Sequence, residues 1–275
     1  MGKTCSICNS DKDVVLQDSV LNRYGCNKCH HSFTVVTEEQ RTRYTDDYYE
    51  THANWFNHPN YRLFDFIHSQ VISRIRKDGL KLIDVGCGTG DFLKYLRKKD
   101  PSLDLYGIDL RPNSYPGIAF VRGDILRENI GMKLDAVTSL AAIEHVDDIN
   151  LFIENIKELL APGGILVIMT DNTGGVFYSA ARLLKKMGIK APYEGLYELA
   201  HLHHFTNTSL RKLLECHGLE VISRKNHNYP LRAINYPSCG TLMRVAYMCG
   251  AGALFAFPSR FGILQTVVCR KKKDG

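Results

Sequence analysis

The run Lys81-Leu82-Ile83-Asp84-Val85-Gly86-Cys87-Gly88-Thr89-Gly90-Asp91 carries the architecture of this chain. An apolar strand enters three glycines at alternate positions, and a helix follows with Phe92, Leu93, Tyr95 and Leu96 on its buried stripe. Glycine at such a turn lets the backbone bend sharply and lets a ligand approach it closely. A dinucleotide fingerprint needs its third glycine one place later, where Asp91 stands, so a pyrophosphate cradle is disfavoured. The next strand, Leu105-Tyr106-Gly107-Ile108-Asp109, ends on an acid 19 positions beyond Gly90. An acid there is placed to take the two hydroxyls of a ribose.

The segments around this run repeat the strand-helix alternation. Upstream, Leu63, Phe64, Ile67, Val71, Ile72 and Ile75 have helical spacing, with Gly79 as the expected stop. Downstream come Val121-Arg122-Gly123-Asp124-Ile125, Leu134-Asp135-Ala136-Val137-Thr138-Ser139-Leu140 with Glu144-His145-Val146 after it, and Leu159-Leu160-Ala161-Pro162-Gly163-Gly164 before an apolar strand at 165–169. His204-Phe205-Thr206 opens a further helix-strand pair through Val221, and a last strand is expected at 262–269. In this order and spacing the chain resembles the class I S-adenosylmethionine-dependent methyltransferases, over roughly residues 60 to 225. The resemblance implies an α/β fold: a seven-stranded, doubly wound, Rossmann-like sheet.

It also implies roles for individual residues. Gly86, Gly88 and Gly90 would let the methionine part of S-adenosyl-L-methionine lie against bare backbone, and Asp84 would orient that loop or the cofactor's amino group. Asp109 would accept from the ribose hydroxyls, and Asp124 from the adenine amino group. Ile125 and Leu140 would pack on either side of the ring. Asp135 reads instead as a turn residue at a strand end.

Methyl transfer from a sulfonium has a good neutral leaving group, so in-line placement and water exclusion matter most. A hydroxyl acceptor also needs its proton removed, and His145, at the carboxyl edge of the sheet, is the first candidate base. The alternatives are that Glu144-His145 caps the next helix, or that His201, His203 or His204 meets the substrate. Quinol-precursor methyltransferases that resemble this segment bind a metal through an acid three places before the Glu-His pair. Here that position is Ala141, which speaks against a catalytic metal.

Cys5-x2-Cys8 and Cys26-x2-Cys29, with residues 9–25 between them, match paired zinc knuckles. Four thiolates close a tetrahedral shell and leave no position for water, so this zinc is expected to be structural. Val14-Val15-Leu16 and Val20-Leu21 are candidate ribbon strands. The domain reading is a zinc ribbon at 1–36, a connector or lid at 37–60 with Tyr44, Tyr48, Tyr49 and Trp55, and the methyltransferase domain at 61–275. Inserts fall at about 171–205 and 226–260.

The 35 Lys and Arg against 29 Asp and Glu give a net charge of +6, which permits an anionic partner without requiring one. With 44% hydrophobic residues the chain can bury a sizeable core, and global disorder is excluded. Nine cysteines, four of them crowded into one cluster, point to a reducing, cytoplasmic compartment. Residues 1–6 lack the apolar core of a secretory signal; Gly2 and Ser6 fit a loose myristoylation pattern, but Cys5 is better used on a metal. No stretch is long enough to span a membrane, and residues 245–257 read as a buried helix or pocket wall, with peripheral membrane contact as the alternative. The terminal Arg270-Lys271-Lys272-Lys273 reads as a solvated tail.

The function these readings reach is methyl transfer to a small-molecule acceptor. A ribbon before such a domain resembles enzymes acting on sugars or on polysaccharide and lipid precursors. An RNA methyltransferase with a substrate-binding ribbon is the second reading. Against it, the ribbon's Lys3, Lys12, Arg23 and Lys28 are countered by Asp11, Asp13 and Asp18 and form no basic stripe. A non-catalytic module on a degenerate fold is the third, opposed by the intact Gly86, Gly88, Gly90 and Asp109. The acceptor, the methylated atom and the oligomeric state are not encoded in any motif.

Overall fold

The computed structural model describes residues 3–36, 53–198, 200–233 and 262–272, together with Gly252 and Phe255. The expected lid tyrosines at 44, 48 and 49 and nearly all of 245–257 lie outside them.

Seven strands form the central sheet: β4 (Lys81–Val85), β5 (Asp104–Asp109), β6 (Ile118–Arg122), β7 (Leu134–Leu140), β8 (Leu160–Asp171), β10 (Leu219–His227) and β11 (Leu264–Lys271). Their order is β10-β11-β8-β7-β4-β5-β6, with β11 antiparallel to both of its neighbours and the other pairs parallel. The chain starts at β4 in the middle, winds out to β6, then returns through β7 and winds to the other side. The reversal between β4 and β7 opens a crevice at the strands' carboxyl ends. β4 and β7 are buried along almost their whole length because helices cover both faces.

The helices are α1 (Ala53–Asn57), α2 (Tyr61–Ile72), α3 (Asp91–Lys99), α4 (Ile149–Leu159), α5 (Val176–Lys186), α6 (Ala191–Glu194) and α7 (Asn207–Cys216). Two cores follow, one on each side of the sheet. Phe152, Ile153 and Ile156 of α4 and Leu210, Leu213 and Leu214 of α7 belong to one. Ile67 and Val71 of α2, Phe92, Leu93 and Leu96 of α3, and Tyr178 of α5 belong to the other. Side-chain caps fix the starts of α2, α4 and α7. Asp148 accepts from Asn150 N and Leu151 N at the head of α4, so Glu144-His145 is not the cap. Helix α2 ends at Ile72, short of Gly79, with one last turn closed by the N–H groups of Arg74 and Ile75 on Val71 O.

The N-terminal module holds β1 (Val14–Asp18), β2 (Arg23–Cys26) and β3 (Ser32–Thr34). Val20 and Leu21, expected in a strand, sit in the turn. The Asp18 carboxylate accepts from both of their N–H groups, and Asn22 takes a left-handed φ of 48°. The fourth strand of this sheet is β9 (His203–His204), which comes from the methyltransferase segment and pairs with β3. The ribbon is therefore sewn into the larger domain, and Cys5, Cys26 and Cys29 share one core with Phe205 and α4. The expected tail is also corrected. Arg270 and Lys271 complete β11, and Lys271 Nζ donates to the carbonyls of Lys157 and Leu160 at the end of α4.

Candidate active site

A cleft of about 1120 Å³ lies at the carboxyl edge of the sheet. Asp84, Gly86, Gly88, Asp109, Asp124, Ile125, Leu140 and His145, all proposed from sequence, line it together. Gly90 does not. It heads α3 with φ 75°, and a Cβ there would press on the Phe120 ring at 3.2 Å.

The loop after β4 owes its shape to backbone that a side chain would block. Gly86 has φ 71°, and a Cβ on it would sit 2.5 Å from the Ala142 Cβ. Gly88 N donates to Asp109 Oδ2 at 2.8 Å, tying the loop to the end of β5, and Arg111 N donates to the other Asp109 oxygen at 2.9 Å. Burial pushes the Asp109 carboxyl up, and those donors pull back against it. Asp84 lies beneath the loop, buried, with Thr138 Oγ1 donating to it at 2.6 Å. Burial, helped by the nearby Asp109 charge and only partly offset by Thr138, raises it to about 7. Asp124 caps its own turn, accepting from Leu126 N at 2.9 Å, and Ile125 packs buried beside it. Asp135 stands at the opposite edge, where it binds Lys77 and Lys81 N.

The other side of the cleft gathers titratable groups around His145. His145 Nδ1 lies 3.0 Å from the Ala200 carbonyl oxygen, so Nδ1 bears the hydrogen and Nε2 is the basic nitrogen. His201 meets it edge to face, with ring centroids 4.7 Å apart. His201 Nδ1 is 3.2 Å from Asp171 Oδ2. Burial opposes its charge, but the hydrogen bond and charge of Asp171, with Glu144 and Glu198 behind them, prevail and raise it to about 9. Glu144 is buried, accepts from Thr170 Oγ1 at 2.8 Å, and is raised to about 7 by burial above all. Glu144, His145 and His201 each bring one ligand atom within 4.8 Å of the others, a spacing that could hold a cation. Ala141, whose side chain cannot ligate a metal, stands three residues before Glu144. It takes a left-handed φ of 56°, a strained backbone that turns the chain from β7 into the cleft.

His203 and His204 do not reach the cleft. Burial lowers both, His203 to about 4. His203 Nδ1 lies 3.2 Å from His31 Nε2, and His204 Nε2 lies 2.9 Å from Thr34 Oγ1. They join the ribbon to the sheet. Sequence reasoning missed Thr138, Thr170 and Asp171, since strand-end polar residues give no signal until their partners are known. Trp55 and Phe56 of α1 face the cleft, and the Trp55 ring meets Tyr229 edge to face, with ring centroids 6.0 Å apart.

Cys5, Cys8, Cys26 and Cys29 bring their Sγ atoms within 4.8 Å of one another. The Cys5–Cys29 and Cys8–Cys26 distances are 3.5 and 3.4 Å. A tetrahedral zinc with bonds of about 2.3 Å needs sulfurs about 3.8 Å apart, so the four fit one ion. Each Cys-x2-Cys turn closes alike, with Asn9 N on Cys5 O and His30 N on Cys26 O. Asn9 and His30 both have positive φ.

This sheet order, with a glycine loop and an acid-ended second strand framing one cleft, defines a nucleoside-binding class I transferase fold. The family model described as "Methyltransferase domain" matches residues 40–224, and the chain belongs to that family. It is an S-adenosylmethionine-dependent methyltransferase. The ubiquinone biosynthesis O-methyltransferase of Cereibacter sphaeroides is 24% identical over 181 residues, 58% of this chain and 72% of that protein. The protein of the same name from Azorhizobium caulinodans is 31% identical over 106 residues, 34% of this chain and 41% of its own length. Among solved structures, Burkholderia thailandensis 1,6-didemethyltoxoflavin-N1-methyltransferase, with S-adenosylhomocysteine bound, covers 95% of this chain and 100% of its own at 12% identity and a TM-score of 0.55. That likeness concerns the fold. No helix among the described residues is long and apolar enough to cross a membrane.

Proposed function

We propose that this methyltransferase acts on a small-molecule acceptor, a sugar or a polysaccharide or lipid precursor, with His145 as the base. One observation carries the reading: a single cleft of about 1120 Å³ joins the glycine loop to His145. Pockets for one small ligand run to roughly 300–1,000 Å³, so this one has room for a cofactor and an acceptor. S-adenosylmethionine, when bound, supplies an electrophilic methyl on a sulfonium. Gly86 and Gly88 would give it backbone to lie on, Asp109 would turn from the Gly88 and Arg111 N–H groups to share its oxygens with the ribose, and Asp124, Ile125 and Leu140 would enclose the adenine. His145 Nε2 would take the acceptor's proton as its oxygen or nitrogen gains the methyl. His201, held charged by Asp171, would keep the site's field fixed while His145 gains that proton.

The ribbon's four cysteines would hold one structural zinc, closed to chemistry because no coordination position is left open. Four thiolates on zinc suit a reducing, cytoplasmic setting. The small acceptor is favoured over RNA because the cleft is a recess beside buried aromatics. The proposal is tested by titrating the chain with S-adenosylhomocysteine in a calorimeter and incubating it with S-adenosylmethionine and a metabolite extract. Binding that Asp109→Ala weakens about tenfold, together with one product heavier by a methylene, is the expected result. Binding without any small product overturns the acceptor reading.

A further inference from the structure

A second recess of about 640 Å³ lies where the ribbon meets the methyltransferase segment. Arg23 of β2 faces it from the ribbon, and Arg182, Lys185 and Lys186 face it from α5, against the single carboxylate of Asp18. That carboxylate is already engaged, by Lys185 Nζ and by the Tyr193 hydroxyl at 2.6 Å. Arg23 is 4% exposed, an unusual place for a guanidinium. Its Nη1 donates to Gln17 Oε1 at 2.5 Å and its Nη2 to Tyr193 OH at 3.1 Å, while its face lies 4.4 Å from the Tyr197 ring centroid. Its Nε, buried, has no hydrogen-bond partner among the described residues. Arg182 is braced by donating to Thr173 O and to Tyr197 OH. Lys186 is exposed and has no acidic partner among the described residues. Four cysteine thiolates on zinc carry two net negative charges, which offsets part of this cationic wall, yet Arg182 and Lys186 stand on α5, an element that carries none of the thiolates.

Lys185, Tyr193 and Tyr197 line both this recess and the methyl-transfer cleft, so the two spaces share a wall. We infer that the recess is the anion subsite of the acceptor, which carries a phosphate or diphosphate ester held by Arg23, Arg182 and Lys186 while its methyl-accepting end reaches past Tyr193 and Tyr197 toward His145. This rests on the small-molecule reading above and narrows it to a phosphorylated acceptor. The recess is of single-ligand size and gathers its cations around one space, which favours one esterified phosphate over a nucleic-acid backbone running along a surface. Such an acceptor must be supplied by a reaction that builds a phosphate or diphosphate ester, since this site holds the ester intact.

Calorimetry on the full zinc-loaded chain, saturated with S-adenosylhomocysteine, tests this with inorganic pyrophosphate as the probe. The expected result is pyrophosphate binding that Lys186→Glu weakens about tenfold or more, corresponding to about 1.4 kcal/mol. Arg182→Ala should act in the same direction. S-adenosylhomocysteine affinity should be unchanged in Lys186→Glu, which also shows that the variant is folded. Displacement of pyrophosphate by UDP-glucose assigns a soluble nucleotide-linked acceptor, and displacement by dihexanoyl phosphatidic acid a lipid-linked one. A chain that binds S-adenosylhomocysteine but not pyrophosphate overturns the inference and leaves the methyltransferase reading intact. Pyrophosphate binding indifferent to Lys186→Glu, or displaced by neither ester but by a short RNA with a steep salt dependence, also overturns it. A chain that binds neither ligand brings down both.

Discussion

The cysteine cluster and the nucleoside cleft are built by opposite means. In the ribbon, four side chains converge until their sulfurs are 3.4–3.5 Å apart in pairs, all four within reach of one ion. In the cleft, side chains are absent where they would matter most, and a Cβ on Gly86 would collide at 2.5 Å with Ala142. Converging donors that exhaust their own geometry make structure; a bare loop that withholds atoms makes room for a ligand. The two are joined through β9, whose His203 and His204 pair with the ribbon two residues after His201 meets His145.

That junction makes the comparison testable, and the largest effect should come from the metal. Stripping zinc with a strong chelator should remove about 10 kcal/mol of binding energy from the ribbon. Because Cys5, Cys26 and Cys29 share a core with Phe205 and α4, the whole domain's thermal midpoint should fall, together with its activity. Loss of ribbon signals alone, with the main transition unmoved, would show that the two regions are separable after all.

Replacing His145 by alanine probes the other side. Turnover should drop by about a hundredfold to ten-thousandfold, the range for a lost general base. Cofactor affinity should stay within about twofold, because in the proposed role the nitrogen acts only on the acceptor's proton. Unchanged turnover on an identified acceptor would remove His145 as the base.

Gly86→Ala sharpens the claim about bare backbone. It combines a left-handed φ with a collision, so S-adenosylhomocysteine binding should weaken by about a hundredfold, or ~3 kcal/mol, by calorimetry. The same change at Gly79, with φ 62° but open space around it, should leave cofactor binding alone and cost only stability.

The smallest effect expected is in pH dependence. His201 is raised to about 9 from its ordinary 6.5, so its contribution to stability is complete below pH 6.5 and is lost as pH rises through 9. The wild-type midpoint should therefore decline across that window, and Asp171→Asn should flatten the decline. Parallel curves for the two proteins would show that Asp171 does not hold the His201 charge.

Much of this was legible in the order of residues. Strand, glycines and acid at fixed spacing are local features, because a turn and its flanking strand are set by neighbours in the chain. The Cys-x2-Cys pairs are equally local, and both of their turns close as spacing alone demands. Asp84 through Leu140 come together because a strand order with a reversal must open its crevice at one edge. What sequence could not supply were partners far apart in the chain. His201, His203 and His204 look alike in the sequence, yet His201 packs on His145 and Asp171 while His203 and His204 bind the ribbon, because only the latter two form β9 and pair with β3. Val20-Leu21 has strand composition, but the Asp18 side chain captures its N–H groups and makes a turn.

By itself, then, the sequence determined the sheet, the glycine bed and the thiolate set, each written in short-range spacing. Only the tertiary structure decided that the ribbon and the catalytic domain are one body, that Asp171 governs His201, and that Arg23 meets Arg182 and Lys186 in a single recess. Those pairings depend on how distant segments pack, and packing is settled by the whole core at once.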